Sequence, residues 1–309
     1  MRRASWKDGI GSALAMKRES IFRAVNFSVN VFLISSLLLS LLGLGWEYST
    51  RLYLAGFSNA VLPYSTTPEQ NVAAILAWME QGPARQSEYY SDDAENRDPI
   101  DTLNYKELLR VCGTATNAFV NLASAGGMQA RRLLLLDAQG MNTNHVVAEV
   151  RINRRWVVVD PTYHAILTDS KGHPLTSQEL AQPLAFQDAT RKLDHYNPAY
   201  NYEHTAFIHF ARLPVIGPFL QTKLNSVVPS WLDRINWTVL VERQSYNTLV
   251  VGIGLLCLAI FLRRLVFGYG HKLGIAATSP WEQLRHGGVA LFSTTPVGSS
   301  DKSLSAMWH

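Results

Sequence analysis

The sequence predicts an α+β fold in which an antiparallel sheet packs on one helix, flanked by two transmembrane helices. Three observations predict it: two long charge-free apolar runs, a helical pattern opening at Cys112 and closing at Gly126-Gly127, and a period-two hairpin soon after. Composition permits the assignment. Hydrophobic residues are 47% of the 309 and mean hydropathy is near zero, which excludes a disordered chain. Two cysteines exclude a disulfide scaffold.

The first apolar run, Phe27–Trp46, holds twenty residues without a charge. About twenty helical residues cover a hydrocarbon core of roughly 30 Å. The second lies between Arg243 and Arg263, with its apolar heart at Thr248–Leu262. A cleaved signal peptide fits the first run poorly. Residues 1–26 precede it, its apolar core is longer than such peptides carry, and no small-residue cleavage site follows. It reads as a retained anchor.

The net charge of +4 and the pI near 9.0 suggest nucleic acid until the charges are located. Residues 1–26 carry six basic residues (Arg2, Arg3, Lys7, Lys17, Arg18, Arg23) and two acidic ones. Residues 263–309 carry five basic (Arg263, Arg264, Lys272, Arg285, Lys302) and two acidic, while 47–243 holds 17 basic and 20 acidic. Basic residues beside the spans favour cytoplasmic tails and a translocated middle. The expected organisation is a cytoplasmic segment 1–26, a span 27–46, an extracytoplasmic domain 47–243 with its core at about 65–165, a span 244–267, and a flexible cytoplasmic tail 268–309. The expected location is the inner (plasma) membrane with a periplasmic domain, and no nucleic-acid partner. Trp46, Tyr48 and Tyr53 fit an interfacial aromatic belt or packing on the domain.

Within the domain, Thr67-Pro68-Glu69-Gln70 writes a capping box, and Val72, Ile75, Leu76 and Met79 continue it at helical spacing until Gly82-Pro83. Residues 84–101 read as a polar loop and Asn104–Arg110 as a further helical stretch. Ala115, Ala118, Phe119, Leu122 and Ala123 then repeat on one helix face, so Cys112 falls at or just before a helix N-terminus. The unpaired amides there favour an anion and should lower the thiol pKa.

Ala130–Leu136 is a strand candidate with two arginines that look exposed, and Asp137–Asn144 a loop. His145–Ile152 alternates, with Val146, Ala148, Val150 and Ile152 on one face and His145, Val147, Glu149 and Arg151 on the other. With Asn153-Arg154 as the turn, Arg155–Asp160 returns so that Ile152 faces Arg155. Asp160 then stands one diagonal step from His145 on the same face, about 7–8 Å away at Cα. A carboxylate so placed can hold one ring nitrogen and leave the other for a thiol. Taken singly, each residue has a plainer reading: a buried small hydrophobe, a structural histidine, a turn-capping aspartate.

The stretch Cys112–Thr162 resembles the core of the transglutaminase-like superfamily of papain-related thiol enzymes. The resemblance rests on Cys112 heading a helix, Ala115, Ala118-Phe119, Gly126-Gly127 and Ala130-Arg131. It continues with His145 opening a strand and Trp156-Val-Val-Val-Asp160-Pro161-Thr162. It departs at Val147, where the family often has an aromatic, and at Arg110, where many members carry glycine. The resemblance implies Cys112 as nucleophile, His145 as base, Asp160 as its orienter and the Cys112 amide as oxyanion donor, with no cofactor and no metal. The implied chemistry is transfer or cleavage of an amide or acyl group through a thioester, on a peptide, protein or glycoconjugate. The rival reading is a non-catalytic scaffold of the same fold in an envelope or exopolysaccharide assembly complex. Water as acceptor makes a peptidase or amidase and an amine makes an acyltransferase; one triad serves both.

Cys257 lies inside the second apolar run, so Cys112 is the lone thiol of the middle domain. His204 and His209, five apart, do not fall on one helix face as zinc ligands would. Tyr196, Tyr200, Tyr202, Phe207 and Phe210 suit either sugar-ring platforms or packing. Pro214–Trp237 reads as a connector back to the membrane.

Overall fold

The computed structural model describes residues 6–64, 67–81, 98–104, 106–208, 237–275, 279–281 and 285. The chain divides into two compact units, Met1–Gly43 with Thr248–His309 and Leu44–Asn247. The expected Pro214–Trp237 connector falls outside the described residues except at Trp237, as do most of the loop 84–101 and most of the tail.

Within the first unit lie α1 (Trp6–Val61, as far as Gly43) and the helix Gln244–Leu273 (from Thr248). Both helices are long and apolar enough to cross a membrane. Small residues let the two backbones approach. A Cβ on Gly252 would stand 3.0 Å from the Ser40 backbone, and one on Gly43 2.9 Å from that of Leu249. Arg263 donates to the Asn30 side chain. The helix Gln244–Leu273 outruns the predicted boundary at 267 and stops at Gly274, whose φ of 68° ends the turn.

Helix α1 likewise does not stop at Trp46. Residues 47–61 contain no proline and a single glycine, Gly56, so polar residues end the apolar run without ending the helix, and the last turns belong to the second unit. There Leu54 is buried, and Tyr53, Phe57 and Val61 pack on the same core as α2 (Pro68–Gln81). Tyr53 thus packs on the domain, whereas Trp46 and Tyr48 stay exposed. Glu47 is buried and accepts from Arg51, Arg243 and the Ser245 hydroxyl.

The capping box at the start of α2 forms in both directions, Thr67 N to Gln70 Oε1 at 3.0 Å and Gln70 N to Thr67 Oγ1 at 3.3 Å. The end of the predicted loop is helical instead: α3 covers Pro99–Asn104, because Asp98 accepts from the Ile100 amide and Pro99 suits a first turn. A 3-10 turn, Lys106–Arg110, leads into α4 (Cys112–Ala125). Every residue from Thr114 to Ala123 is buried, polar ones included, so α4 is central rather than one-sided. It closes with paired bonds, Gly127 N to Ser124 O and Met128 N to Ala123 O, around Gly127 at φ 80°.

The sheet follows: β1 (Ala130–Leu136), β2 (Thr143–Ile152), β3 (Arg155–Asp160), β4 (Ala165–Ile166) and, after the short helices α5 (Ser177–Leu180) and α6 (Pro183–Thr190), β5 (Thr205–Ala206). Its order is β4-β3-β2-β1-β5, antiparallel throughout. Helix α7 (Trp237–Glu242) precedes α8 (Gln244–Leu273). One sheet face, with Ala148, Val150, Ile152, Val157 and Val159, packs in the α2–α4 core. The other, with Leu133, Leu135, Val147 and Val158, packs under Leu167, Leu180 and Tyr202.

The two β1 arginines, read as exposed, are largely covered. Arg131 lies between the rings of Trp156 and Phe207 and pairs with buried Glu149 at 2.8 Å, while Arg132 pairs with Glu242. Cation–π contacts and carboxylate partners on neighbouring elements account for their burial.

The β2–β3 turn places Asn153 at φ 49° and Arg154 at φ 66°, the two positive values of a type I′ hairpin. A left-handed conformation costs an ordinary residue about 1–2 kcal/mol. Arg154→Gly should therefore stabilise the full chain by about 0.5–1 kcal/mol, seen as a higher midpoint in urea unfolding of the detergent-solubilised protein; an unchanged or lower midpoint contradicts this assignment of the turn.

Candidate active site

Cys112 is the first residue of α4, and its N-cap is Val111, whose side chain offers no oxygen to the opening amides. Thr114 instead ties the first turn downward, its hydroxyl donating to the Val111 and Leu108 carbonyls. One turn past the cysteine, the Thr116 hydroxyl donates to the Val146 carbonyl at 2.9 Å, fixing the helix start against the start of β2.

His145 reaches that same place through an irregularity. Leu135 pairs with His145 but Leu136 pairs with Thr143, so Asn144 is an extra residue just ahead of the histidine. Such bulges re-aim a side chain and raise local twist. The β2–β3 register runs from Ile152↔Arg155 to Ala148↔Val159, and Asp160 ends β3 on the His145 face. His145 Nε2 meets Asp160 Oδ2 at 2.8 Å, with the histidine 2% exposed and the aspartate fully buried. Pro161 has no N–H, so the amides that turn back onto Asp160 Oδ1 are those of Thr162 (3.1 Å) and Tyr163 (3.4 Å). The second carboxylate oxygen also accepts from the Tyr196 hydroxyl at 3.1 Å.

With Nε2 engaged by Asp160, the other ring nitrogen is the one left for the thiol, and Cys112 stands close enough to His145 for the imidazole to act on its ionisation. Burial would push the thiol up, but the hydrogen bond and charge of His145, with the amides of Val146 and Gly113, hold it below the ordinary cysteine value. Burial would push the imidazole down, but hydrogen bonds and charges from Asp160 and Cys112 raise it to about 9. Both shifts run toward the charged forms, thiolate and imidazolium, relative to the free side chains. Cys112 is half-buried, whereas its partner His145 is covered.

The structure thus brings Cys112, His145 and Asp160 together. Residues 56–161, which hold all three, match the model of the transglutaminase-like superfamily. This segment is a transglutaminase-like domain. Domains of this family are thiol enzymes or scaffolds of the same fold. No curated protein and no solved structure matches the chain.

Several neighbours in the transglutaminase-like domain's site went unread in the sequence. Val147, at the position where an aromatic is usual, is buried, and the aromatic wall comes from elsewhere. Tyr200 stacks on the imidazole with centroids 4.2 Å apart and planes 3° from parallel, while Tyr163 and Tyr196 meet it edge-on. The spacing of Tyr196, Tyr200 and Tyr202 was visible, but not the place to which the chain returns. Phe207 caps Arg131, and Phe210 and His209 lie outside the described residues. Among the described residues no cluster of three or more His, Cys, Asp or Glu is placed to hold a metal.

The pair makes a pH prediction. The absorbance difference at 240 nm between wild type and Cys112→Ser should show the thiolate forming at a lower pH than an ordinary cysteine thiol ionises. His145→Ala should move that transition up toward the ordinary thiol value. For folding, the raised imidazole loses its contribution as pH rises from 6.5 through about 9, while the lowered thiol gains its own on the approach to 9, so stability should change little across that interval in wild type and should fall across it in Cys112→Ser, which keeps only the imidazole.

Proposed function

We propose that the chain is a membrane-anchored thiol enzyme that cleaves or transfers an amide or acyl group through a thioester. Cys112 acts as nucleophile, His145 as acid and base, and Asp160 as orienter. The single observation that carries this reading is a half-buried cysteine at a helix start beside a histidine whose Nε2 is held by a buried carboxylate. A scaffold of the same fold needs neither the thiol nor the buried acid beside its partner.

The thiolate attacks the carbonyl carbon, and the negative charge moves to the carbonyl oxygen facing the helix start, where the Cys112 amide donates. The His145 imidazolium gives its proton to the departing amine as the C–N bond breaks, leaving a neutral imidazole and a thioester. Water or a second amine then attacks the thioester while the imidazole accepts its proton, and the thiolate departs.

Two apolar helices anchor the protein, and the basic residues at Arg2–Arg23 and Arg263–Arg264 favour cytoplasmic ends with the domain outside. The substrate is then an extracytoplasmic peptide, protein or glycoconjugate, and the partners are those of the cell envelope or of polysaccharide assembly. Protease added to spheroplasts should cut within 47–243 and leave tags at both termini protected; cleavage of the tags would reverse the topology.

The activity is tested by trapping. Full-length protein in detergent micelles, incubated with a library of biotinylated peptide amides and acyl donors, should form a hydroxylamine-sensitive adduct on Cys112. Cys112→Ser should form none, and His145→Ala and Asp160→Asn should lose about 10²–10⁴-fold in rate. Equal labelling of Cys112→Ser would refute the enzyme reading.

A further inference from the structure

We infer that Tyr196 and Tyr200 are positioning residues of this site. The Tyr196 hydroxyl fixes the carboxylate oxygen that holds His145, and the Tyr200 ring fixes the plane of the imidazole. The inference rests on the thiol-enzyme reading, but neither tyrosine lies within the matched residues 56–161, so nothing in that match assigns them a role.

Asp160 is fully buried, and its two oxygens are held unequally. Among the described residues, Oδ1 takes two backbone amides, whereas Oδ2 takes His145 and the Tyr196 hydroxyl. Apart from the histidine it must orient, Oδ2 is therefore positioned by one phenol. That phenol is itself confined. Its ring lies 4.5 Å from Tyr163, 5.6 Å from Tyr200 and 5.9 Å from Phe186, and its oxygen 3.5 Å from that of buried Tyr202. Burial, with the charge of Asp160 and the neighbouring Tyr202, pushes its ionisation far up, so the hydroxyl keeps its proton and remains a donor.

Tyr200 performs a different task. An imidazole held at Nε2 can still swing about its side-chain bond, which would carry the other nitrogen away from the sulfur. A ring face parallel to it at 4.2 Å opposes that swing. A tyrosine face also tolerates the imidazolium, since its quadrupole attracts a cation. The groups facing His145 are Asp160 from β3, Cys112 from α4, Tyr163 from the turn after β3, and Tyr196 and Tyr200 from the segment after α6. That segment is tied to the sheet edge just beyond them, where the Leu136 amide donates to the His204 carbonyl at 2.8 Å and β5 pairs with β1.

The two roles differ in which atoms matter, and that decides the experiment. At 196 the hydroxyl counts; at 200 the ring counts. Full-length protein in detergent micelles, with Cys257→Ala as background, is alkylated with iodoacetamide between pH 5 and 10, and melting is followed in parallel. Tyr196→Phe and Tyr200→Leu should move the midpoint of the alkylation–pH profile up by about one unit, a loss of about tenfold in rate at pH values well below the midpoint. Tyr200→Phe should stay within about twofold of the background protein. A wild-type profile in Tyr196→Phe or Tyr200→Leu overturns the inference, as does a Tyr200→Phe profile as poor as that of Tyr200→Leu. If Tyr196→Phe fails to fold, the Tyr200 pair decides alone. His145→Ala separates the two claims: if it leaves the profile unmoved, the thiol-enzyme reading falls; if it moves the profile and the tyrosine variants do not, only the positioning roles fall.

Discussion

The hydrogen bond between His145 Nε2 and Asp160 Oδ2 is the constraint on which the rest of the domain depends. Both groups are out of water, and an unpaired buried charge costs several kcal/mol. The fold must therefore surround the carboxylate with donors, and it does so with local means. Asp160 ends a strand, Pro161 contributes no amide, and the next two amides turn back to one oxygen while a distant phenol serves the other. Once the carboxylate is satisfied it favours the proton on the imidazole, and the imidazolium in turn favours the thiolate.

Three separate devices bring the sulfur to that pair. The type I′ turn at Asn153-Arg154 sets the β2–β3 register, which a one-residue slip would invert, sending Asp160 to the opposite face. The extra residue at Asn144 turns His145 at the end of the sheet. The Thr116–Val146 bond, one turn along α4, then fixes where the helix start meets that end. The first two devices are local in sequence and the third links residues 30 apart, and together they join residues 112, 145 and 160.

Local patterns of this kind are the ones a sequence displays. Alternation in β2 and β3, the capping box at Thr67–Gln70 and the Gly-Gly stop after α4 all act within a few residues, and each stands in the structure where the pattern places it. What stayed hidden depends on partners distant in the chain. Arg131 and Arg132 looked exposed because Trp156, Phe207, Glu149 and Glu242 come from other elements. The bulge at Asn144 leaves no mark on a period-two pattern, since it falls in the loop before the alternation begins. The helix through Glu47–Val61 was missed for another reason. Loss of hydrophobicity ends an apolar run, but only a breaker ends a helix, and residues 47–61 contain no proline.

The unequal exposure of the pair follows from the same construction. A nucleophile must meet its substrate, so the sulfur sits at a helix end, where backbone amides face outward and no cap intervenes. Its partner needs the reverse, because water around an imidazolium would weaken its hold on both the carboxylate and the thiolate. Tyr200 covers that ring and β2 supports it from behind, leaving it 2% exposed. The pair is therefore covered at the imidazole and only half-buried at the cysteine. Burial alone would neutralise each partner, raising the thiol and lowering the imidazole; their mutual interaction, with the Val146 and Gly113 amides at the thiol and Asp160 at the imidazole, reverses both tendencies.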